Sequence, residues 1–187
     1  RNLKIARTTI RDIKRGHYVL IPIIHKGHAV VLAKLIDDLY GEKVAFIFTG
    51  DIPKNRRQAA RDAMKTDKSI KVVIAMRSML TGVNVPMWSA IYTVAPINNT
   101  PNYVQEIQRV CTPVEGKRTP IIRYFHDPSV SWLYGCLKTC SKTLMTDDYT
   151  QHKSFKAIAP RSQSQGNQPD EMGFSFSQSP ASKRRTF

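Results

Sequence analysis

The stretch VVIAMRSMLTGVNVP, residues 72–86, decides how this chain is read. An apolar run rich in β-branched residues ends at Arg77-Ser78, the pattern of a strand buried on both faces that opens into a polar loop. The GVNVP turn follows shortly after, and Gly82 gives it freedom for a positive φ and for close backbone approach.

Outward from this stretch the same alternation recurs. Residues 17–24, HYVLIPII, read as a strand in which Pro22 belongs near an edge or an end rather than in a central ladder. Residues 28–40 carry Val31, Leu32, Leu35, Ile36 and Leu39 at helical spacing, and Gly41 supplies the stop. A second strand over 43–48 leads to Pro53, which can start a helix because its missing amide proton costs nothing in the first turn. Ala59, Ala60, Ala63 and Met64 form the apolar face of that helix. Residues 70–75 and 90–95 are further strands, and a short helix opens at Pro101 and reaches Arg109. Residues 120–125 are a last strand, and 129–144 a closing helix with Leu133, Leu137 and Cys140 on one side. Strands alternating with helices imply an α/β domain over residues 1–150, with a mostly parallel sheet flanked by helices on both faces. Right-handed crossovers then put the strand carboxyl ends, and the functional loops, on one edge. The strand order is not readable from the pattern.

The 187 residues carry 29 Lys and Arg against 14 Asp and Glu, a formal charge of +15 that favours a polyanionic partner. A hydrophobic content of 41%, arranged in strand–helix units, argues against a histone-like or ribosomal-type chain. No apolar run is long enough to span a membrane and no signal peptide is visible, so an intracellular protein with no membrane partner is expected. The chain begins at Arg1 rather than Met, which leads us to expect that it starts inside a longer polypeptide. Cys111, Cys136 and Cys140 are odd in number and read as free thiols. A zinc site recruiting His126 is set aside because the CxxC turn of a structural site is missing, so no metal site is expected in this chain. Residues 151–187 are rich in Ser, Gln, Pro and Gly and read as a flexible, low-complexity basic tail. Its Lys183, Arg184 and Arg185 are either an electrostatic tether for phosphate or a solvated terminus.

Four blocks in order carry a family resemblance: HYVLIPIIHKGHAVVLAKLI from residue 17, VAFIFTGDIPKNRRQAARDAM from 44, the 72–86 stretch, and YVQEIQRVCTP from 103. Together they resemble the C-terminal RecA-like lobe of superfamily 2 (DEAD/DEAH-like) helicases, a P-loop NTPase-like second lobe, over residues 17–125. The GVNVP turn and the TP after the arginine motif are similar to helicases of phages and large DNA viruses, and a viral origin would place the protein in host cytoplasm, nucleus or virion.

The resemblance implies ATP as cofactor, with Mg2+ held mainly by an N-terminal RecA-like lobe of the same parent protein. DNA or RNA is the implied partner. In that frame Arg109 and Gln105 are the catalytic candidates, four positions apart and so near one helical face, and a guanidinium fork stabilises charge on a transferring phosphoryl group. Gly82, Asn84 and Arg109 are the nucleotide-binding candidates. The plain alternatives are a surface Arg109 paired with Glu106, and an ordinary turn at Gly82. His25, Lys26, Thr49, Gly50, Arg77 and Ser78 follow strands and are the nucleic-acid-binding candidates, directed at backbone phosphates. Arg57 belongs either to the Thr49-Gly50 element or to a helix surface.

Three positions depart from the family pattern. Gln108 stands where the family has glycine, Thr112 where it has a second arginine, and Asn84 where it often has aspartate. Either Arg109 supplies the catalytic contact, Arg118 substitutes from the next loop, or the ATPase is weakened. There is no GxxxxGK[ST] loop and no DExx run, so this chain alone is not expected to turn over ATP. Two readings result: the second motor lobe of an ATP-dependent helicase or translocase, or a catalytically inactive RecA-like nucleic-acid-binding module. A stand-alone enzyme of another kind lacks a nucleophile–base pair to support it.

Overall fold

The computed structural model describes residues 1–97, 99–125, 130–146, 150–151 and 176–177. His126 and the Lys183–Arg185 cluster lie outside the described residues, as does most of the tail. The elements in chain order are α1 (Asn2–Lys14), β1 (Tyr18–Ile23), α2 (Lys26–Tyr40), β2 (Ala45–Phe48), α3 (Arg57–Thr66), β3 (Val72–Met76), β4 (Trp88–Thr93), α4 (Thr100–Cys111), β5 (Ile121–Tyr124) and α5 (Ser131–Thr146). Short 3-10 turns at Lys54–Arg56 and Arg77–Met79 follow β2 and β3. Thr150–Gln151 and Phe176–Ser177 pair as a small antiparallel ladder.

β1 to β5 form one sheet in the order β2-β3-β1-β4-β5, and every neighbouring pair is parallel. Because successive strand residues face opposite sides, the sheet feeds two cores. Val19, Ile21 and Ile23 of β1, with Val72, Ile74, Ala90 and Tyr92, pack under Ile5, Ala6 and Ile13 of α1 and Ala29, Leu32, Ala33 and Ile36 of α2. Leu20, Val73, Ala75, Ile91 and Ile122 face the other way, onto Met64, Ile107, Val110, Leu137 and Cys140 of α3, α4 and α5. Three layers result, helices on both faces of a parallel sheet, as the alternation predicts.

Local signals set the helix ends. Gly41 closes α2 in the left-handed region at φ 89°. Asn99 caps α4 by accepting from the Asn102 amide at 3.1 Å, with proline in the first turn.

The structure departs from the pattern at four places. β1 is the central strand, and Pro22 is tolerated there because it lies next to the strand end, beyond Leu20, where the register to β4 stops. The Pro53 helix starts as a 3-10 turn, and only Met64 of its expected apolar face is fully buried. In α2 the buried residues are Ala29, Leu32, Ala33 and Ile36, while Val31 and Leu39 are exposed. α1 is the fourth departure: its buried side carries Thr8, Thr9 and Asp12 beside Ile5, Ala6 and Ile13, which blurs a hydrophobic stripe.

Asp12 is fully buried and held by Arg123 of β5, Nε to Oδ2 at 2.7 Å and Nη2 to Oδ1 at 3.0 Å. The Tyr92 hydroxyl donates to the same carboxylate at 2.5 Å. Burial pushes the Asp12 pKa up, but the hydrogen bonds from Arg123 and Tyr92 outweigh it and leave the carboxyl below its usual range. Nearby, His17 is buried with Nδ1 3.1 Å from Ser89 Oγ, and burial lowers its pKa from 6.5. A histidine whose folded pKa is depressed contributes stability that is complete above the unfolded value and is lost as pH falls from there toward the folded one. Denaturant midpoints at pH 7.5 and 5.5 are therefore expected to fall on acidification, and the fall to shrink in His17→Gln. An unchanged difference would remove His17 as a cause. All three cysteines are buried and none is in a disulfide. Among the described residues no helix is long and apolar enough to cross a membrane, and no cluster of His, Cys, Asp and Glu could hold a metal ion.

Candidate nucleotide groove and nucleic-acid edge

Parallel strands deliver the loops after β2, β3 and β1 to one sheet edge, with the β3 loop in the middle. Lys26 of the β1 loop pairs with Asp51 of the β2 loop, and at 58% and 57% side-chain exposure the two charges tie the outer loops weakly. His25, Lys26, Gly50 and Ser78 are exposed along this edge.

Thr49 is 4% exposed, so its hydroxyl is withdrawn from the surface, contrary to the expectation of an open hydroxyl beside Gly50. Arg57, at the start of α3, fixes the loop: its Nε donates to the Ile52 carbonyl at 3.0 Å and its Nη2 to that of Gly50 at 3.3 Å. Gly50 itself has an ordinary φ, and a Cβ built there would meet nothing within 4 Å. The fold does not require glycine at this position.

Arg77 also departs from the expectation of a phosphate ligand, because its guanidinium is turned inward. It donates to the carbonyls of Pro96 and Ala95 at 3.1 and 3.0 Å, and its Nε lies 2.7 Å from Glu106 Oε1 of α4. Burial raises the Glu106 pKa and Arg77 counters it. Arg77 thus clamps the β3 loop to the β4–α4 connection. It also takes the carboxylate that the plain reading of Arg109 assigned to that arginine.

The nucleotide candidates meet elsewhere. A groove of about 350 Å³ is lined by Gly82 and Asn84 of the turn before β4 and by Gln105 and Arg109 of α4. Gln108 and Thr112 line it too; positions 105, 108 and 109 share one helical face, and Thr112 is the residue that ends the helix. Gly82 adopts φ 72°, the left-handed conformation expected of it. Arg109 joins the two walls, Nη1 donating to the Val83 carbonyl at 2.6 Å. Its Nε is buried and, among the described residues, has no hydrogen-bond acceptor.

A helix that crosses back from a parallel strand runs toward the amino edge of the sheet, and the 81–84 turn leads into the amino end of β4. The groove therefore sits on the flank of the domain and not on the loop-bearing edge where a single functional surface was expected. Arg118, the fallback for the arginine missing at Thr112, is not one of the groove-lining residues. It lies against Gly16, with its Nε 3.3 Å from where a Cβ at that glycine would stand. Among the described residues the groove lining contains no carboxylate, so it fits an anion at Arg109 and not a divalent cation.

A parallel five-stranded sheet in this order, between helices on both faces, is a RecA-like fold. Solved structures share this fold. Saccharomyces cerevisiae Dbp5 bound to RNA and ADP BeF3 matches with a TM-score of 0.59 at 20% identity, over 76% of this chain and 36% of that one. Domain 2 of the DEAD-box helicase Mss116p, bound to an RNA duplex, matches with a TM-score of 0.54 at 16% identity, over 71% of this chain and 52% of that one. The Mycobacterium smegmatis helicase Lhr, bound to ssDNA and AMP-PNP, gives 0.57 at 15% identity, over 75% of this chain and 18% of that one. The chain thus corresponds to only part of these proteins. No protein-family model and no curated protein sequence matches it.

Proposed function

We propose that this chain is the second motor lobe of an ATP-dependent helicase or translocase acting on DNA or RNA. The observation that carries the reading is the groove: Gly82 and Asn84 from one sequence block and Gln105 and Arg109 from another line a single depression. Arg109 brings a guanidinium to the groove wall, where an anion would meet a charge-assisted donor. ATP, when bound between this lobe and a phosphate-loop lobe, supplies a phosphoryl group on which charge builds during transfer. Arg109 is placed to stabilise that charge and Gln105 to orient it, while Asn84 offers amide hydrogen bonds without a carboxylate charge. Magnesium belongs to the other lobe, since no carboxylate lines the groove.

At the loop edge, His25, Lys26, Gly50 and Ser78 grip the nucleic-acid backbone, and Arg77 acts by holding the β3 loop in shape. Gly50→Ala tests the grip cleanly. Its stability is expected to stay within about 0.5 kcal/mol of the parent, as for a surface change that touches nothing. Affinity for a labelled oligonucleotide should fall, because the new methyl occupies the space over which a phosphate approaches. Lys26→Ala should weaken all sequences alike and lower the salt slope by about 1.

The deciding experiment is nucleic-acid-stimulated ATP hydrolysis by the polypeptide that joins this lobe to its phosphate-loop partner. Hydrolysis there, and none by this chain alone, is the expected outcome. A joined protein that binds nucleic acid without hydrolysis would favour the inactive binding module. That second reading draws on the departures themselves: with Gln108 and Thr112 in the lining, Arg109 is the only guanidinium lining the groove among the described residues.

A further inference from the structure

α1 carries a feature that the groove and the loop edge do not use. Its residues Lys4, Arg7, Arg11 and Lys14, with the following Arg15, recur at steps of three, four, three and one. At 3.6 residues per turn these five cations fall within a sector of about 100°, opposite the buried Ile5, Ala6, Thr9 and Asp12. The only acid in the helix is Asp12, and it is buried against Arg123. Arg7, Lys14 and Arg15 are exposed, and among the described residues none of the three has an ion-pair partner.

Like charges three and four apart repel on a helix, each pair costing about 0.2 to 0.5 kcal/mol, and cations near an amino terminus oppose the helix dipole as well. The dipole favours Arg11 and Lys14 in the last turn, and Arg11 also pairs with Asp12, so folding accounts for part of the stripe but not for the exposed Arg7 on the same face. A polyanion would turn the repulsion into attraction. From Lys4 to Arg15 the stripe is about 16 Å long, close to the axial length of five nucleotides of one DNA strand.

Its placement adds a direction. The Arg1 guanidinium donates to the carbonyls of Val94 and Phe125, at the carboxyl ends of β4 and β5. Asn2 Oδ1 lies 3.1 Å from Nε2 of His28, in the first turn of α2 just after Lys26. The stripe therefore begins beside the His25-Lys26 loop and runs away from the loop edge toward Gly16, where Arg118 adds a further cation. We infer that the outer face of α1 is a second phosphate-binding surface, which carries the backbone of a nucleic acid onward from the loop edge across the α1–α2 face of the lobe. The inference rests on the nucleic-acid reading above and adds a surface outside the loops of that reading.

The test is fluorescence anisotropy of the full chain with a labelled 30-nucleotide single strand and its duplex, across a potassium chloride series. In Arg7→Gln/Lys14→Gln/Arg15→Gln the slope of log affinity against log salt is expected to drop by about 2 to 3, roughly one per phosphate contact. The variant should melt close to the parent, since the repulsion removed offsets the dipole interactions lost at Lys14 and Arg15. Arg7→Lys/Arg15→Lys should retain the slope. An unchanged slope in the glutamine variant, with Lys26→Ala still losing affinity, overturns the α1 surface and leaves the loop edge standing. No loss from either variant overturns both. A stripe that instead mediates binding to vesicles containing anionic lipid, with oligonucleotide affinity unaffected, likewise overturns the proposal.

Discussion

Arg109→Ala, in the polypeptide that joins this lobe to a phosphate-loop lobe, is expected to lower nucleic-acid-stimulated ATP turnover by about 100-fold or more. The estimate follows from the loss of a single charge-stabilising donor at a transition state. Nucleic-acid affinity should be largely retained, because the groove and the loop edge are separate surfaces. Arg109 also bonds the Val83 carbonyl, so alanine frees the Gly82 turn as well as removing a charge. Arg109→Lys separates the two effects: lysine can keep a hydrogen bond to Val83 but cannot present a fork to phosphate. Low turnover in both variants assigns the loss to phosphate chemistry. Normal turnover in both would reject Arg109. Arg118→Ala, against Gly16 and outside the groove lining, should leave turnover unchanged.

Breaking the buried pair under α1 is expected to have the largest effect on stability. Arg123→Met leaves the Asp12 carboxylate at 0% exposure with only the Tyr92 hydroxyl and the more distant Arg11 Nε at 3.7 Å as partners among the described residues, and such a change costs about 3 to 5 kcal/mol. Against a total stability of about 5 to 15 kcal/mol, this approaches global unfolding. Because Asp12 is held below its usual pKa, its contribution is present above the ordinary carboxyl value of 3.8 and is lost as pH falls from there toward the folded value. Asp12→Leu/Tyr92→Phe/Arg123→Met removes every buried charge and hydroxyl of the cluster together and should recover most of the loss. Urea midpoints at pH 7 and pH 2.5, either side of the ordinary carboxyl value, measure both effects. A single variant as stable as the parent would show that solvent reaches Asp12.

The strands were legible because each is a short apolar run between turn residues, and that signal is local. α1 was not, because half of what it buries is polar. Thr8, Thr9 and Asp12 face the core, and the partners that satisfy Asp12, Tyr92 and Arg123, lie 80 and 111 residues away. The groove was legible through its motifs: Gly82, Asn84, Gln105 and Arg109, named from separate blocks, come together as its walls. Its position on the flank was not, since it depends on where α4 has travelled by its second half. Arg77 misled for a similar reason. A lone arginine after a strand reads as a surface cation until Glu106 arrives from another element to hold it.

That Arg77–Glu106 link has a mechanical consequence. Glu106 is the neighbour of Gln105 on the helix that walls the groove, and Arg77 is the neighbour of Ser78 on the middle loop of the gripping edge. An ion pair with little solvent around it is stiff, so the two surfaces are connected by a strut and not by a hinge. On the proposed reading of the two surfaces, movement imposed at the groove would be passed to the loop edge through this pair. Softening the strut, as Glu106→Gln would do, should leave hydrolysis running while uncoupling it from displacement along the strand.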